Sequence, residues 1–191
     1  MTPTDQVLTE QLRTGHPGAC EALLRRFQDK VMRTAYGYTG NQSDAEDIFQ
    51  DTFAEVIRSI GTFRGESELG TWIYRITIRK AQEHHRRKQR KWMFSWFSDS
   101  EDESADPADP DGHTPESLYI GHEDLENVRQ AVNRLPDLQR QAITLFYFND
   151  LPYQEVAAVM ETSVSSVESL LFRARRNLKK TLERPNEEVS V

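Results

Sequence analysis

The sequence has little cysteine and no long apolar run, and both absences exclude whole classes of protein. Its 191 residues include one cysteine, Cys20, so an internal disulfide cannot form and a secreted fold held by disulfides is excluded. No apolar stretch approaches the roughly 20 residues that a membrane-spanning helix needs. The N-terminal segment MTPTDQVLTEQL lacks the basic-then-apolar order of a secretion signal. We therefore expect a cytoplasmic protein without membrane insertion.

Motifs of enzymes and metal sites are missing as well. The sequence has no glycine-rich phosphate loop, no metal-ligand spacing and no nucleophile motif. The adjacent His84 and His85 would point in different directions on a helix. We expect a protein that is not an enzyme and uses no metal, no cofactor and no small-molecule substrate. Cys20, on an amphipathic helix, is expected to be a small buried apolar residue.

Charge is plentiful but strongly segregated along the chain. The 24 basic and 31 acidic residues give a net charge of −7. Residues 1–92 carry +3, residues 93–124 carry −10, and residues 125–191 are neutral. Eight basic residues lie between Arg75 and Lys91, and six lie between Arg173 and Arg184. A single basic run is typical of a solvated helix face, whereas two runs flanking an acidic connector indicate two surfaces that contact a polyanion.

Apolar residues recur three or four positions apart, which is the spacing of amphipathic α-helices, and no segment alternates as a strand does. The sequence therefore predicts an all-α fold. Ser43 and Glu46 are predicted to form a capping box at the start of the second helix, and a third helix is predicted from Leu69 to Lys91. The first stripe is Leu24, Phe27, Val31, Ala35 and Tyr38, and the second is Phe49, Phe53, Val56 and Ile60.

The connector that follows is unlike the helical segments. Residues 98–116, SDSEDESADPADPDGHTPE, are acidic, rich in proline and serine, and nearly free of apolar groups. Such a segment buries too little surface to offset its ordering entropy, so a flexible tether is predicted. The apolar stretch Trp92–Phe97 just before it is expected either to dock on a flanking domain or to bind a partner.

Helices resume near residue 123, and the segment Tyr153–Lys180 has the dimensions of a helix-turn-helix. On its second helix, one face is apolar and is predicted to face the core: Val167, Leu171, Ala174 and Leu178. The opposite face carries small hydroxyls and then arginines, which suits a DNA major groove because short side chains allow close approach. An antiparallel helix pair with a charged outer face would show the same pattern.

Taken together, these segments resemble the extracytoplasmic-function (group IV) sigma factors of bacterial RNA polymerase, in the sigma-70 family. The resemblance rests on DAEDIFQDTFAEVIRSIGTFRGESELGTWIYRI (44–76), LPDLQRQAITLFYFNDLPYQEVAAVM (135–160) and SVSSVESLLFRARRNLK (163–179). It implies a region 2-like domain of three or four helices at 1–92 and a region 4-like helix-turn-helix domain at 123–184. A flexible acidic linker (93–122) would join them, and a tail (185–191) would follow.

The resemblance implies a transcription initiation factor that binds core RNA polymerase, directs it to promoters and promotes DNA melting. The helix matching residues 44–60 would dock on the clamp helices of the β′ subunit, with the β subunit as a further contact. Its candidate residues are Asp47, Gln50 and Asp51. Carboxylates and an amide within two turns of one helix could meet arginines of a partner helix.

The resemblance also assigns the minus-ten promoter element to the loop after the second helix and to the helix that follows. Opening DNA requires aromatic surface that stacks on bases and cations that follow the backbone. Phe63 could instead anchor its loop, and Trp72 and Tyr74 could be core residues. The candidates are Phe63, Arg64, Trp72, Tyr74, Arg75, Arg79, Lys80, Arg86 and Arg87.

The helix-turn-helix corresponds to the part of the family that recognises the minus-thirty-five element as duplex. The family commonly has basic residues where Glu168 and Leu170 stand, and a glycine where Glu161 stands. Affinity is therefore expected to depend mainly on Arg173 and Arg176. The full candidate set is Ser165, Ser166, Ser169, Phe172, Arg173 and Arg176.

The family resemblance further implies an anti-sigma factor that covers both domains and could hold the protein at the inner membrane. The alternative function is a stand-alone helix-turn-helix regulator, which would bind an operator without polymerase.

Overall fold

A computed structural model of the chain describes residues 4–97 and 119–183, which form eight α-helices and no strand. The all-α prediction is confirmed for this part of the chain. The connector 98–116, the tail 185–191 and the side chains of Trp92–Phe97 lie outside what is described. The helices are α1 (Asp5–Arg13), α2 (Ala19–Thr39), α3 (Gln42–Ser59), α4 (Leu69–Phe97), α5 (Tyr119–Asn133), α6 (Asp137–Ile143), α7 (Tyr153–Met160) and α8 (Val164–Leu182).

The N-terminal half, α1 to α4, packs around an apolar core lined by the predicted stripes. Burial of one such side chain contributes about 1.5–3 kcal/mol to folding, so this core accounts for much of the stability of the half. The helix α2 ends at Gly40, which adopts a φ of 66° and donates its N–H to the Tyr36 carbonyl. The core residues are Leu8, Leu23, Phe27, Val31, Phe53, Val56, Ile60, Phe63, Leu69, Ile73 and Ile76.

Two side-chain predictions for α2 are wrong. Leu24 is 36% exposed, whereas Leu23 is fully buried, because the buried stripe steps by four through Leu23, Phe27 and Val31. Cys20 is exposed, although its position seven residues before Phe27 places it on the same side of the helix; it is the second residue of α2.

The predicted capping box of α3 is also wrong. The helix begins at Gln42, and the Asn41 Oδ1 accepts the Asp44 N–H at 2.9 Å. Asparagine caps a helix as well as serine does, so Ser43 falls inside the first turn. Glu46 accepts a hydrogen bond from the Gln42 side chain at 2.8 Å and does not bond back to the cap.

The short helix α1 was not singled out by the apolar stripes. Its Asp5 Oδ2 accepts the N–H of Leu69, the first residue of α4, at 2.8 Å, and Asp5 also pairs with Arg26 of α2. One carboxylate therefore connects α1 with two other helices. The helix-capping sequence Thr4-Asp5 is the signal that could have located it.

The C-terminal half, α5 to α8, contains the predicted helix-turn-helix as α7 and α8. The helix α5 ends at Asn133, and Pro136 is the N-cap residue of α6, which begins at Asp137. Val167, Leu171 and Ala174 are fully buried, as predicted for the core face of α8, and Leu178 is partly buried. A π-helical turn, Thr144–Phe148, connects α6 with the loop before α7.

The two halves pack against each other, and their apolar residues share one buried cluster. Tyr38 and Tyr74 of the N-terminal half belong to the same cluster as Leu135 and Val156 of the C-terminal half. Gly37 of α2 lies directly against the Phe148 ring, because a Cβ added at Gly37 would be 2.6 Å from Cγ of that ring.

Candidate polymerase and DNA interfaces

The predicted polymerase-binding residues Asp47, Gln50 and Asp51 are all exposed on the outer face of α3. The basic second half of α4 runs beside this face. Asp51 Oδ2 lies 3.5 Å from Arg87 Nη2, and Asp44 Oδ2 lies 2.7 Å from Lys88 Nζ. The structure therefore places a predicted polymerase-binding acid, Asp51, beside a predicted minus-ten cation, Arg87, in one charged groove.

The three predicted minus-ten aromatics differ in their surroundings. Phe63 is 7% exposed and Tyr74 is 5% exposed. Phe63 packs on Trp72 with ring centroids 5.2 Å apart, and Arg13 donates a hydrogen bond to its carbonyl. Of the three, Trp72 alone is half-buried, and the other two are buried. Burial raises the pKa of Tyr74 to about 12, although Arg33 acts in the opposite direction.

The predicted minus-ten cations on the first half of α4 are gathered around Glu55 of α3. Glu55 Oε2 lies 3.4 Å from Lys80 Nζ, Oε1 lies 3.8 Å from Arg79 Nη2, and Glu55 also pairs with Arg58. Desolvation by burial raises the pKa of this carboxyl, but the Lys80 and Arg58 cations outweigh burial and lower the pKa overall. Glu55 therefore stays ionised and holds these cations on one face of the helix.

The remaining minus-ten candidates are placed differently. Arg64, Arg86 and Arg87 are exposed. Arg75, by contrast, contacts the C-terminal half: its Nη2 donates to the Ala158 carbonyl at 2.8 Å, and its Nη1 lies 3.1 Å from Glu161 Oε1.

The predicted recognition face of α8 is solvent-facing. Ser165, Ser169, Arg173 and Arg176 are exposed, and Phe172 is 67% exposed. Such an exposed aromatic side chain can contact the methyl group of thymine in the major groove.

One candidate of this set has a structural role at the start of the helix. The Ser166 N–H donates to Ser163 Oγ at 3.2 Å, and the two hydroxyls lie 2.9 Å apart. Ser163 is thus the cap of α8, and the Ser166 hydroxyl is already engaged with it.

The three positions at which the sequence departs from the family pattern are one buried leucine and two exposed glutamates. Leu170 is 8% exposed and belongs to the core of the C-terminal half. Glu168 is exposed. Glu161 ends α7 with a φ of 53°, in the left-handed region that favours glycine.

A polar cluster between the halves was missed by sequence reasoning. Arg140 is 3% exposed, and its Cζ lies 5.0 Å from the centre of the Tyr38 ring. Its Nη1 lies 3.2 Å from His85 Nδ1, and Tyr38 Oη donates to Asp137 Oδ1 at 3.3 Å. No local pattern predicts these contacts, because the partners are between 55 and 102 positions apart in the sequence.

None of the helices within residues 4–97 and 119–183 is long and apolar enough to cross a bilayer. In the same ranges, no three side chains of His, Cys, Asp or Glu are grouped so that they could hold a metal ion.

Family profiles match both halves of the chain. Sigma-70 region 2 matches residues 23–91, and sigma-70 region 4 matches residues 125–178. Two structures with a similar fold are CnrH in complex with the cytosolic domain of CnrY, and RpoE of Bartonella quintana in complex with the anti-sigma factor NepR. The first has a TM-score of 0.67 and 22% identity, and covers 94% of this chain and 97% of that one. The second has a TM-score of 0.62 and 24% identity, and covers 88% and 99%.

Curated relatives are similar over nearly their whole length. The RNA polymerase sigma-H factor of Pseudomonas aeruginosa is 33% identical over 181 residues, which cover 94% of each chain. The ECF RNA polymerase sigma-E factor of Escherichia coli K12 is 34% identical over 174 residues, covering 90% of this chain and 91% of the relative. With both regions matched in order, the chain belongs to the extracytoplasmic-function sigma factors of the sigma-70 family, transcription initiation factors that bind core RNA polymerase and promoter DNA.

Proposed function

We propose that this sigma factor docks on the β′ clamp helices through Asp47, Gln50 and Asp51 and also contacts the β subunit. The observation that carries this proposal is that all three side chains are exposed on one face of α3. A carboxylate that meets an arginine forms a strong, charge-assisted hydrogen bond. The Arg87 cation beside Asp51 would be released when the clamp arginines take its place.

In this proposal each half recognises one promoter element. The domain at residues 1–92 binds the minus-ten element, and the domain at residues 123–184 binds the minus-thirty-five element. Trp72, Arg64, Arg79, Lys80, Arg86 and Arg87 would contact the minus-ten element, with Arg75, Tyr74 and Phe63 as further candidates. The exposed face of α8, with Phe172, Arg173 and Arg176, would read the minus-thirty-five element in the major groove. The surface position of these α8 side chains supports the assignment.

An anti-sigma factor that covers both halves is the proposed regulator, and it could hold the protein at the inner membrane. Bartonella quintana RpoE is bound to an anti-sigma factor in its structure. In the present chain Leu138 and Tyr147 are apolar but 58% and 51% exposed, which is consistent with a covering partner. The chain supplies no catalytic group in this proposal, since bond formation belongs to the polymerase.

Run-off transcription tests the proposal. Purified core polymerase would be assayed on a promoter library with and without the chain, and specific start sites are expected only when the chain is present. Tight operator binding by the chain alone, with no effect on transcription, would instead identify a stand-alone regulator.

A further inference from the structure

We propose that Glu168 is a specificity-determining residue of the minus-thirty-five surface, where it selects a cytosine by accepting a hydrogen bond from the N4 amine of that base. This assignment rests on the proposed function of the exposed α8 face. The base contact is additional to those proposed for Phe172, Arg173 and Arg176.

Glu168 lies on the part of α8 that can reach base edges. It is exposed and is the fifth residue of the helix, and the N-terminal residues of a recognition helix are those that contact bases. At about 100° per residue, Glu168 is displaced by about 60° from Ser165 and about 40° from Phe172 around the helix axis. The short Ser165 side chain lets the helix approach the groove closely, which brings the longer glutamate within reach of the bases.

The protein does not neutralise the Glu168 carboxylate. At the other end of α8, Glu183 Oε1 lies 3.6 Å from Lys179 Nζ. Among the residues that the structure describes, none forms an ion pair or a hydrogen bond with Glu168. Arg175 follows two turns later on the same side of the helix, but its Nε donates to Tyr147 Oη. The Glu168 carboxylate is therefore available to a partner outside the chain.

An unpaired carboxylate on a DNA-binding face is repelled by the phosphates, so it is favourable there only if it meets a hydrogen-bond donor. In the major groove, cytosine presents the N4 amine as a donor, whereas guanine presents acceptors at O6 and N7 and thymine presents an acceptor at O4. Adenine presents a donor at N6 beside the N7 acceptor. Glu168 therefore favours cytosine, and it rejects guanine and thymine because acceptor would face acceptor.

Phe172 defines the neighbourhood of the selected cytosine. Its side chain is 67% exposed and can contact a thymine methyl group. The Cβ atoms of residues four positions apart on a helix are about 5–6 Å apart, and successive base pairs rise by about 3.4 Å. Glu168 and Phe172 thus address base pairs one or two steps apart. We expect the preferred element to contain a cytosine and a thymine, on either strand, within about two base pairs of each other.

Selection from randomised duplexes tests the assignment. Holoenzyme made from core polymerase and the full chain binds promoters whose minus-thirty-five element is randomised, and the bound DNA is sequenced. With the wild type, one position should prefer cytosine over guanine and thymine by about tenfold, which is within the range of one base contact. Glu168→Gln should move the preference at that position to adenine, because an amide can bond to N6 and N7 of adenine together.

Glu183→Gln is the matched control, since it removes the same charge from the exposed C-cap of α8. It should select the same sequence as the wild type. If Glu168→Gln also selects the wild-type sequence, or if the position that it alters prefers a base other than cytosine in the wild type, the assignment is overturned while the proposed function stands. A wild-type holoenzyme that enriches no minus-thirty-five sequence refutes the proposed function of α8 and the assignment with it.

A base analogue tests the hydrogen bond itself. The selected cytosine is replaced by 2-pyrimidinone, which lacks the N4 amine, and the affinity of holoenzyme is measured with the wild type and with Glu168→Ala. Removing the amine also weakens the base pair, but this effect is common to both proteins and cancels in the double-substitution cycle. The wild type should lose at least about fivefold more affinity than Glu168→Ala. Equal losses would show that the carboxylate does not contact the amine and would overturn the assignment.

Discussion

Glu161 Oε1 lies 3.1 Å from Arg75 Nη1, which joins a left-handed turn of the C-terminal half to a proposed promoter contact of the N-terminal half. Glu161 is 71% exposed in its side chain and Arg75 is 34% exposed. A pair exposed to this extent contributes about 0–1 kcal/mol, so the backbone strain at Glu161 is at least as large as what its ion pair returns. Stability alone therefore does not explain the glutamate.

We expect Glu161→Gly to be more stable than Glu161→Ala by about 1 kcal/mol, because both variants lose the ion pair and only glycine relieves the left-handed strain. Urea denaturation of the full chain measures the difference. Equal free energies of unfolding for the two variants would show that the turn is not strained.

Acidification should weaken the packing of the two halves against each other. Burial lowers the pKa of His85, and the nearby Arg140 lowers it further, whereas Asp137 acts in the opposite direction. Tyr38 also faces the imidazole, and His84 and Lys88 of the same helix add positive charge. Because the contact between the halves favours neutral His85, the full stability of that contact is present above the ordinary pKa of about 6.5 and is lost as the pH falls below it.

The radius of gyration of the free chain should therefore be larger at pH 6.0 than at pH 8.0. His85→Gln is the control, because glutamine can accept from Arg140 but does not titrate. If this variant expands on acidification as the wild type does, His85 is not the responsible group.

The double variant Arg173→Ala/Arg176→Ala should bind minus-thirty-five duplex more weakly and with a salt dependence lower by about 2, since each phosphate contact contributes about 0.9 to the slope. A salt titration of binding by the polymerase holoenzyme measures both effects. Arg175→Ala is the matched control, because Arg175 donates to Tyr147 Oη at 2.8 Å and lies beside the recognition face. A wild-type slope for the double variant would remove these arginines from the interface.

Asp51→Arg should lose at least about tenfold in affinity for core polymerase, because it places a cation against the proposed clamp arginines and beside Arg87. Fluorescence anisotropy with labelled chain measures the affinity, and circular dichroism verifies the fold. Glu46→Arg makes the same charge change at an exposed position nearer the N-terminus of α3 and should bind normally. Equal binding by all three proteins would place the clamp contact elsewhere.

Local patterns predicted most of the helices and the core face of α8. Val167, Leu171 and Ala174 could be identified from the sequence because a helix fixes which residues share a face. The sequence does not show which of two adjacent apolar residues is buried. Leu23 and Leu24 are equally apolar, and only the packing of the helices decides that Leu23 is the buried one. Asn41 and Ser43 are likewise equivalent as caps until the first turn is formed.

Contacts between the halves could not be predicted in this way. From the sequence, Arg140 would be predicted to be exposed, as most arginines are. In the structure it is 3% exposed and lies between Tyr38 and His85. The surroundings of Tyr74 and Arg75 likewise depend on a partner helix more than 80 residues later in the chain.

Glu55 has a consequence for how promoter affinity responds to ionic strength. It already pairs with Lys80 and Arg79 in the free protein, so DNA that binds these two cations displaces a carboxylate from them as well as ions from the duplex. Part of the electrostatic exchange is then internal and insensitive to added salt. A count of phosphate contacts taken from salt titration would consequently underestimate the number of α4 cations that touch the backbone.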